Sequence, residues 1–198
     1  VAEHYYSQKP TAGHDLYTIE ATLRGRAYSF QSDAGVFSRK GIDFGSRLLI
    51  ETMELASDAR VLDVGCGYGP IGLAAAALAH RGTVTMIDIN ERAIELAKRN
   101  ARRNGIANVR ILQSDRLSEV LQERFDAVLT NPPIRAGKDV VHGIFEQAAE
   151  VLVPGGALWV VIQKKQGAPS AFAKLEELFA SVEEVRKDKG YRIFKAVK

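Results

Sequence analysis

Past Gly41 the chain alternates short apolar runs with amphipathic stretches. The runs Arg60–Val64, Thr83–Ile87, Val109–Leu112, Phe125–Leu129 and Ala157–Ile162 are of strand length and rich in Val, Ile and Leu. Their alternation with helical segments is the signature of βαβ units feeding a parallel sheet. Between the second and third runs, Ile94, Ala97 and Ala101 recur at helical spacing within Glu91–Asn104, with Asn90 suited to the N-cap and Gly105 to the residue just past the helix end. Asp139–Leu152 reads as a helix stopped by Pro154-Gly155-Gly156, and Ser170–Ala180 as another. Val182–Asp188 and Tyr191–Val197 flank the turn signal Lys189-Gly190, so the sheet is expected to end in an antiparallel hairpin.

The first forty residues break this rhythm. Tyr17–Leu23 and Ala27–Phe30 are β-like runs joined around Arg24-Gly25, which predicts a β-hairpin extension over residues 1–40 ahead of an α/β domain over 41–198. Asp43–Leu55 reads as a helix leading into the first core strand, and Trp159 falls in a central strand. A length of 198 residues suits one such domain with a full core.

Composition adds exclusions. With 46% hydrophobic and 26% charged residues the chain is ordinary for a globular protein. No apolar run approaches the roughly 20 residues that cross a bilayer, so no membrane association is expected. Val1–Pro10 lacks the apolar core of a signal peptide, and the single Cys66 leaves no intrachain disulfide, which together place the chain in a reducing cytoplasm. His4, His14, His80 and His142 share no metal-ligand spacing with one another or with Cys66, so no catalytic metal is expected and Cys66 is read as a small packing residue. The net charge is +3 and the isoelectric point about 9.0. Clusters at Arg24/Arg26, Arg39/Lys40, Lys98/Arg99/Arg102/Arg103 and Lys164/Lys165 leave room for a face that meets a polyanion. For the helix cluster, complementing the macrodipole is the simpler account.

Candidate chemistry concentrates where the predicted strands end. Asp63-Val64-Gly65-Cys66-Gly67-Tyr68-Gly69-Pro70 joins a strand, an acidic residue, a glycine loop and a helix start with proline in its first turn. The pattern G-x-G-x-x-G of dinucleotide sites would need glycine where Pro70 stands. Asp63 would also repel a pyrophosphate, whereas it would attract an ammonium group. Asp88-Ile89 closes the second strand, where a carboxylate can accept both hydroxyls of a ribose, and Ser114-Asp115 follows the third, where an acidic side chain can accept from an adenine amino group. Singly, each Asp is also a common turn former or helix cap. Together they should converge on the carboxyl edge of the sheet. After the fourth strand, Asn131-Pro132-Pro133-Ile134 stiffens the chain and commits Asn131 to an extended conformation. The Asn131 amide oxygen and the Pro132 carbonyl can then accept both protons of an amino group and aim its lone pair, so that catalysis rests on positioning and polarisation.

These motifs resemble the class I S-adenosylmethionine-dependent methyltransferases. The longer run Thr130-Asn131-Pro132-Pro133-Ile134-Arg135-Ala136-Gly137-Lys138, with Phe37-Ser38 and Asp43-Phe44-Gly45-Ser46 upstream, is similar to the small domain of the RsmC-type ribosomal RNA guanine methyltransferases and their short stand-alone bacterial relatives. The resemblance implies a Rossmann-like, seven-stranded, mostly parallel sheet with S-adenosylmethionine as donor. It implies Asp63, Gly65, Gly67, Gly69, Asp88, Ile89, Ser114, Asp115 and Asn131 around the donor, and Asn131 with Pro132 at the reacting nitrogen. The acceptor implied is a guanine amino group in small-subunit ribosomal RNA, with ribosomal RNA or a ribosomal subunit as partner. Two departures stand out. The long members carry an extra N-terminal RNA-binding domain that has no counterpart of that size here. The residue after the second proline, commonly aromatic in amino-methylating members, is Ile134, so Phe37 is the expected stacking substitute beside Pro133, Ile134 and Arg135. A protein glutamine amide or an adenine amino group would suit the same site, and a non-catalytic RNA-binding module is the alternative of another class.

Overall fold

In a computed structural model that describes residues 13–37 and 41–198, the described residues form nine strands and five α-helices. The expectations for Val1–Pro10, Ser38, Arg39 and Lys40 lie outside the described residues. Strands β1 (Leu16–Leu23) and β2 (Arg26–Asp33) form a separate antiparallel hairpin. The remaining strands are β3 (Arg60–Val64), β4 (Thr83–Asp88), β5 (Val109–Gln113), β6 (Phe125–Thr130), β7 (Leu152–Gln163), β8 (Ser181–Asp188) and β9 (Tyr191–Val197). They make one sheet in the order β5-β4-β3-β6-β7-β9-β8, in which the first five are parallel to one another and β9 runs antiparallel to both its neighbours, β7 and β8. The helices are α1 (Phe44–Thr52), α2 (Pro70–Leu78), α3 (Glu91–Arg103), α4 (Lys138–Val151) and α5 (Ala168–Leu178).

Alternation along each strand sends side chains to two cores, as a sheet covered on both faces requires. Val61, Leu129, Trp159 and Val161 pack with α1, α2, α3 and the hairpin. Leu62, Val64, Val128, Leu158 and Val160 pack with α4 and α5. The chain builds outward from β3 to β5 and then returns to place β6 on the other side of β3. That reversal opens a crevice beyond the carboxyl ends of β3 and β6, where ligands of open α/β sheets bind. At the far edge β8 exposes Glu183, Glu184, Arg186 and Lys187, charges that discourage further strand pairing.

Three boundaries differ from the sequence expectation. Helix α1 ends at Thr52 instead of Leu55, because the Arg24 guanidinium reaches across and takes the carbonyls of Ile50, Glu51 and Met53. Pro154-Gly155-Gly156, expected to stop the helix, lies within a strand: α4 stops at Val151 and β7 already begins at Leu152. A Cβ at Gly156 would lie 2.9 Å from the Asp126 carbonyl, so glycine permits the close approach of β7 to β6. Helix α5 starts at Ala168, ahead of the expected Ser170, because Gly167 (φ 106°) turns the chain and Pro169 sits in the first helical turn.

The hairpin is bound to the sheet domain through α3. Asn100 and Asn104, one helical turn apart, each address a residue of β2 with both ends of the amide. Asn100 accepts from Gln31 N (2.7 Å) and donates to Gln31 O (2.9 Å), and Asn104 does the same to Ser29 at 3.0 Å each way. The two side chains stand in for a neighbouring strand on an edge that would otherwise be open. Asn100 is fully buried and also donates to Tyr68 O at 2.8 Å, within the glycine loop. Asn100→Ala leaves three backbone groups without their partner, so urea denaturation should show a loss of about 2–4 kcal/mol. An unchanged midpoint would mean that the hairpin docks by apolar contact alone.

Candidate active site

The glycine loop is set by backbone that only glycine adopts easily. Gly65, Gly67 and Gly69 have φ of 73°, 57° and 115°, and Gly69 is the N-cap of α2. Gly65 N and Cys66 N both donate to Ile87 O at 2.9 Å, which pins the loop to the end of β4. Gly72 serves a different need: a Cβ there would come within 2.7 Å of Met86, so its absence lets α2 lie against β4.

Two carboxylates are buried beneath this loop and differ in their partners. Asp88 accepts from Gly67 N and from Asn90 N, each at 2.9 Å, and so couples the loop to the start of α3. Asp63 is fully buried and neither of its oxygens has a hydrogen-bond partner. Burial, with the Asp88 charge adding to it, pushes the Asp63 carboxyl up to about 8; the Gly72 amide in the first turn of α2 pulls the other way without reaching normal hydrogen-bond geometry. An unpartnered buried carboxylate at a glycine loop is a place where a cationic ligand group would be stabilised. Burial and the same two carboxylates also push the Cys66 thiol well up, so it stays protonated and serves packing.

Two cavities meet beyond the strand ends. The first, about 330 Å³, lies between the glycine loop, Asp88-Ile89, Ser114 and Asn131-Pro132-Pro133. The second, about 300 Å³, is lined by Ile134, Arg135, Gln163, Gln166 and Tyr191. Asp43, Asn131, Pro132 and Pro133 line both, so the Asn-Pro-Pro segment is their common wall. Thr130, fully buried, fixes that segment's entry by donating from Oγ1 to Val64 O at 3.1 Å.

The structure distributes the expected site residues as follows. Gly65, Gly67, Asp88, Ile89, Ser114 and Asn131 line the first cavity, whereas the fully buried Asp63 and the helix-capping Gly69 do not. Asp115 does not line it. Its side chain is 59% exposed beside the Arg116 guanidinium, and Ser114 and Arg116 occupy the cavity wall instead. Phe37 lines the first cavity, edge-on to Tyr68 with ring centroids 5.3 Å apart, and not the second. The aromatic ring in the second cavity is Tyr191. Arg24 and Arg26 are taken up in the hairpin, Arg24 on the end of α1 and Arg26 on Asn104 O and the Tyr28 ring. Sequence reasoning missed Arg116, Gln163, Gln166 and Tyr191. The pairing of Tyr191 with Gln163 was latent in the predicted terminal hairpin, since a strand antiparallel to β7 must begin where β7 ends.

A glycine loop at the strand-order reversal, a buried carboxylate at the next strand end and a proline-stiffened Asn between two cavities make up a ligand site of the Rossmann-like α/β class. The comparisons identify the family: residues 27–195 match the methyltransferase small domain, and the chain belongs to that family. It is 56% identical over the full length of both chains to Bacillus subtilis uncharacterized protein YbxB. It is 34% identical to ribosomal RNA large subunit methyltransferase G of Ectopseudomonas mendocina, over 94% of this chain and 51% of that one. Among solved structures, the T. thermophilus 16S rRNA methyltransferase RsmC in complex with AdoMet and guanosine superimposes with a TM-score of 0.81 at 27% identity, over 92% of this chain and 50% of that one. The chain thus spans about half the length of the ribosomal RNA methyltransferases it matches. Among the described residues no helix is long and apolar enough to cross a membrane, and no cluster of His, Cys, Asp and Glu could hold a metal.

The Asp63 arrangement carries a pH signature. Its folded-state pKa lies above that of an unfolded Asp, so the native state binds more protons, and this contribution to stability is present below about pH 4 and lost as pH rises to about 8. Asp63→Asn removes the effect. Chemical denaturation of parent and variant should therefore show the parent falling behind between about pH 4 and pH 8; parallel profiles would mean that Asp63 is ionised at no cost.

Proposed function

We propose that this chain transfers a methyl group from S-adenosylmethionine to the exocyclic amino group of a guanine in ribosomal RNA, the small subunit being the first place to look. The observation that carries the reading is the shared wall: Asn131, Pro132 and Pro133 stand between a donor-shaped cavity and a second cavity open to an acceptor.

The residues present fit the donor. On this reading the ammonium of the methionine moiety favours the ionised form of Asp63 and pairs with it, the glycine loop lets the backbone approach, and Asp88 accepts from the ribose hydroxyls. A carboxylate offers about four lone-pair positions, so Asp88 can do this while still holding Gly67 and Asn90. Ser114 and Ile89 flank the adenine position, the role earlier expected of Asp115. When bound, S-adenosylmethionine supplies an electrophilic methyl group on a sulfonium, so no strong base is needed to activate the acceptor.

The chain's own contribution is to hold the amine. An aryl amine is planar, with its lone pair delocalised into the ring, and is a poor nucleophile. Asn131 Oδ1 and the Pro132 carbonyl accept its protons and orient the lone pair toward the first cavity. As positive charge grows on the nitrogen, those hydrogen bonds strengthen, which stabilises the transition state more than the ground state. Pro132 and Pro133 keep the acceptors in place, and Tyr191 offers the planar face that Ile134 lacks. Titration with S-adenosylmethionine separates this enzyme from an RNA-binding module that has lost the reaction, which would leave the donor unbound.

Asn131→Ala should slow methyl transfer by roughly 10²–10³-fold with donor affinity nearly unchanged. The measurement is tritiated-methyl transfer into both ribosomal subunits, naked ribosomal RNA and total protein in parallel. Parent-rate transfer by the variant would reduce Asn-Pro-Pro to a turn, and label in protein alone would move the acceptor to a glutamine amide. Arg135, exposed on the rim of the second cavity, is the candidate phosphate contact. Arg135→Gln should flatten the slope of log affinity against log salt by about 0.7–0.9, and a salt-independent affinity would argue against a nucleic-acid acceptor.

A further inference from the structure

We propose that Asp43 and Ser46 form a clamp that orients the Asn131 amide, so that the site presents only an acceptor to the incoming group. The inference rests on the reading of Asn131 given above and adds two positioning residues to it. Asp43 is the N-cap of α1, its Oδ1 accepting from Ser46 N at 3.1 Å. Its Oδ2 accepts from Ser46 Oγ at 2.7 Å and from Asn131 Nδ2 at 3.1 Å, and Asn131 Nδ2 also donates to Ser46 Oγ at 3.0 Å.

The chemistry of the three groups dictates which way the amide faces. A carboxylate only accepts, and the single hydroxyl proton of Ser46 is committed to Asp43, so the oxygen of Ser46 is left to accept as well. Only the NH₂ end of Asn131 satisfies that pair. Its Oδ1 is therefore turned away into the wall of the two cavities. A free Asn side chain can rotate by half a turn and offer a donor where an acceptor is needed. The clamp removes that second state. It makes the wall complementary to a group bearing N–H and repellent to one bearing only a carbonyl, which is a choice between the amino and the keto edge of a base. Asp43 lies exposed at the rim while Ser46 is buried under it, so the contact spans from solvent to the foot of α1.

Asp43→Asn tests this without uncapping the helix, because Asn caps about as well as Asp. Its NH₂ group would meet the NH₂ of Asn131 and release or flip it. The primary readout needs no acceptor: in ¹⁵N-edited NMR, the Asn131 side-chain amide, identified by its loss in Asn131→Ala, should shift and lose protection from exchange in Asp43→Asn, with the thermal midpoint retained. An unaltered resonance overturns the clamp. Kinetically, with ribosomal RNA transcribed in vitro as acceptor, Asp43→Asn should lower kcat about tenfold, as for one charged hydrogen bond, with KM for the RNA and S-adenosylmethionine affinity changed less than about threefold. The swap is sharper. Asn131→Asp alone sets two carboxylates against each other, whereas combined with Asp43→Asn it restores a donor–acceptor pair with an oxygen still facing the cavity. The double variant should outperform Asn131→Asp by about tenfold, a sign reversal that mere structural damage cannot produce. Additive losses overturn the clamp. Parent activity in Asn131→Ala would instead overturn the reading of Asn131 itself.

Discussion

The carboxylate of Asp88 is the point on which the site turns. It ends β4 and holds Gly67 N and Asn90 N together, one from the glycine loop and one from the N-cap of α3. Asn90 then caps the helix through Ala93 N at 3.0 Å, and α3 carries Asn100 back to Tyr68 O at the other side of the same loop. The loop is thus held at adjacent residues from two elements, Gly67 by the end of β4 and Tyr68 by α3. Three glycines with positive φ would make a floppy segment if left to themselves, since glycine gains freedom in the unfolded chain as well as tolerance in the folded one. The hydrogen bonds to Ile87 O and Asp88 at the end of β4, with the one from Asn100 of α3, convert that tolerance into one defined shape. Asp63, a strand away, is left without such a partner, and its raised pKa lets it keep its proton instead of holding a buried unpaired charge.

The N-terminal hairpin belongs to the same mechanical system. Its edge is held by Asn100 and Asn104, and its turn residue Arg24 closes the C-terminus of α1. The other end of α1 carries Asp43 and Ser46. A segment that contributes no strand to the main sheet therefore fixes both the helix that holds the glycine loop and the helix that holds Asn131. Just past the hairpin, Phe37 enters the wall of the first cavity against Tyr68. This binds the extension to the site by contacts with backbone groups, which do not depend on what a partner molecule brings.

The sheet, its parallel order and the antiparallel end were legible in the chain because buried strands leave apolar runs and because turn residues mark their limits. Asn90 and Gly105 were legible for a local reason: capping is decided by one side chain and one φ value, and the observed Asn90–Ala93 bond and φ of 66° at Gly105 follow from residue type. The helix ends that moved were those settled at a distance. Nothing near Leu55 in sequence shows that Arg24 will satisfy the carbonyls at 50, 51 and 53. Pro154-Gly155-Gly156 reads as a helix stop because of its composition, and only the pairing of Gly155 and Gly156 with Lys198 shows it to be part of the irregular start of a strand. At the site, the residues that end parallel strands could be aligned from the chain. The residues that come from the antiparallel return, Tyr191 above all, required the register of β9 on β7. Phe37 was legible as an aromatic near the site but not as a neighbour of Tyr68, since its placement is set by how the hairpin docks.

The division of labour between the two cavities bears on selectivity. An oriented amide oxygen and a proline carbonyl ask only for an amino group, and guanine, adenine and a glutamine side chain all offer one. Discrimination among them must come from what lies further out in the second cavity, where the ionisable groups are Asp43, Arg135 and Tyr191 and the neutral polar ones are Gln163 and Gln166. Burial and the nearby Asp43 charge push the Tyr191 phenol up, and it bonds to Gln163, so the ring stays neutral and its orientation is set from β7. A glycine is required at position 45 because a Cβ there would come 2.7 Å from that ring. The ring is therefore packed from below by α1 and tethered from the side by β7. A fixed aromatic plane rewards a flat acceptor over a flexible one, because stacking a rigid base costs little further ordering, while a glutamine side chain must give up rotamer freedom to lie along it. On the function proposed above, Arg135 as the cation at the rim would add a preference for a flat and polyanionic acceptor to the inner wall's preference for an amine, and a nucleobase in RNA would meet all three conditions at once.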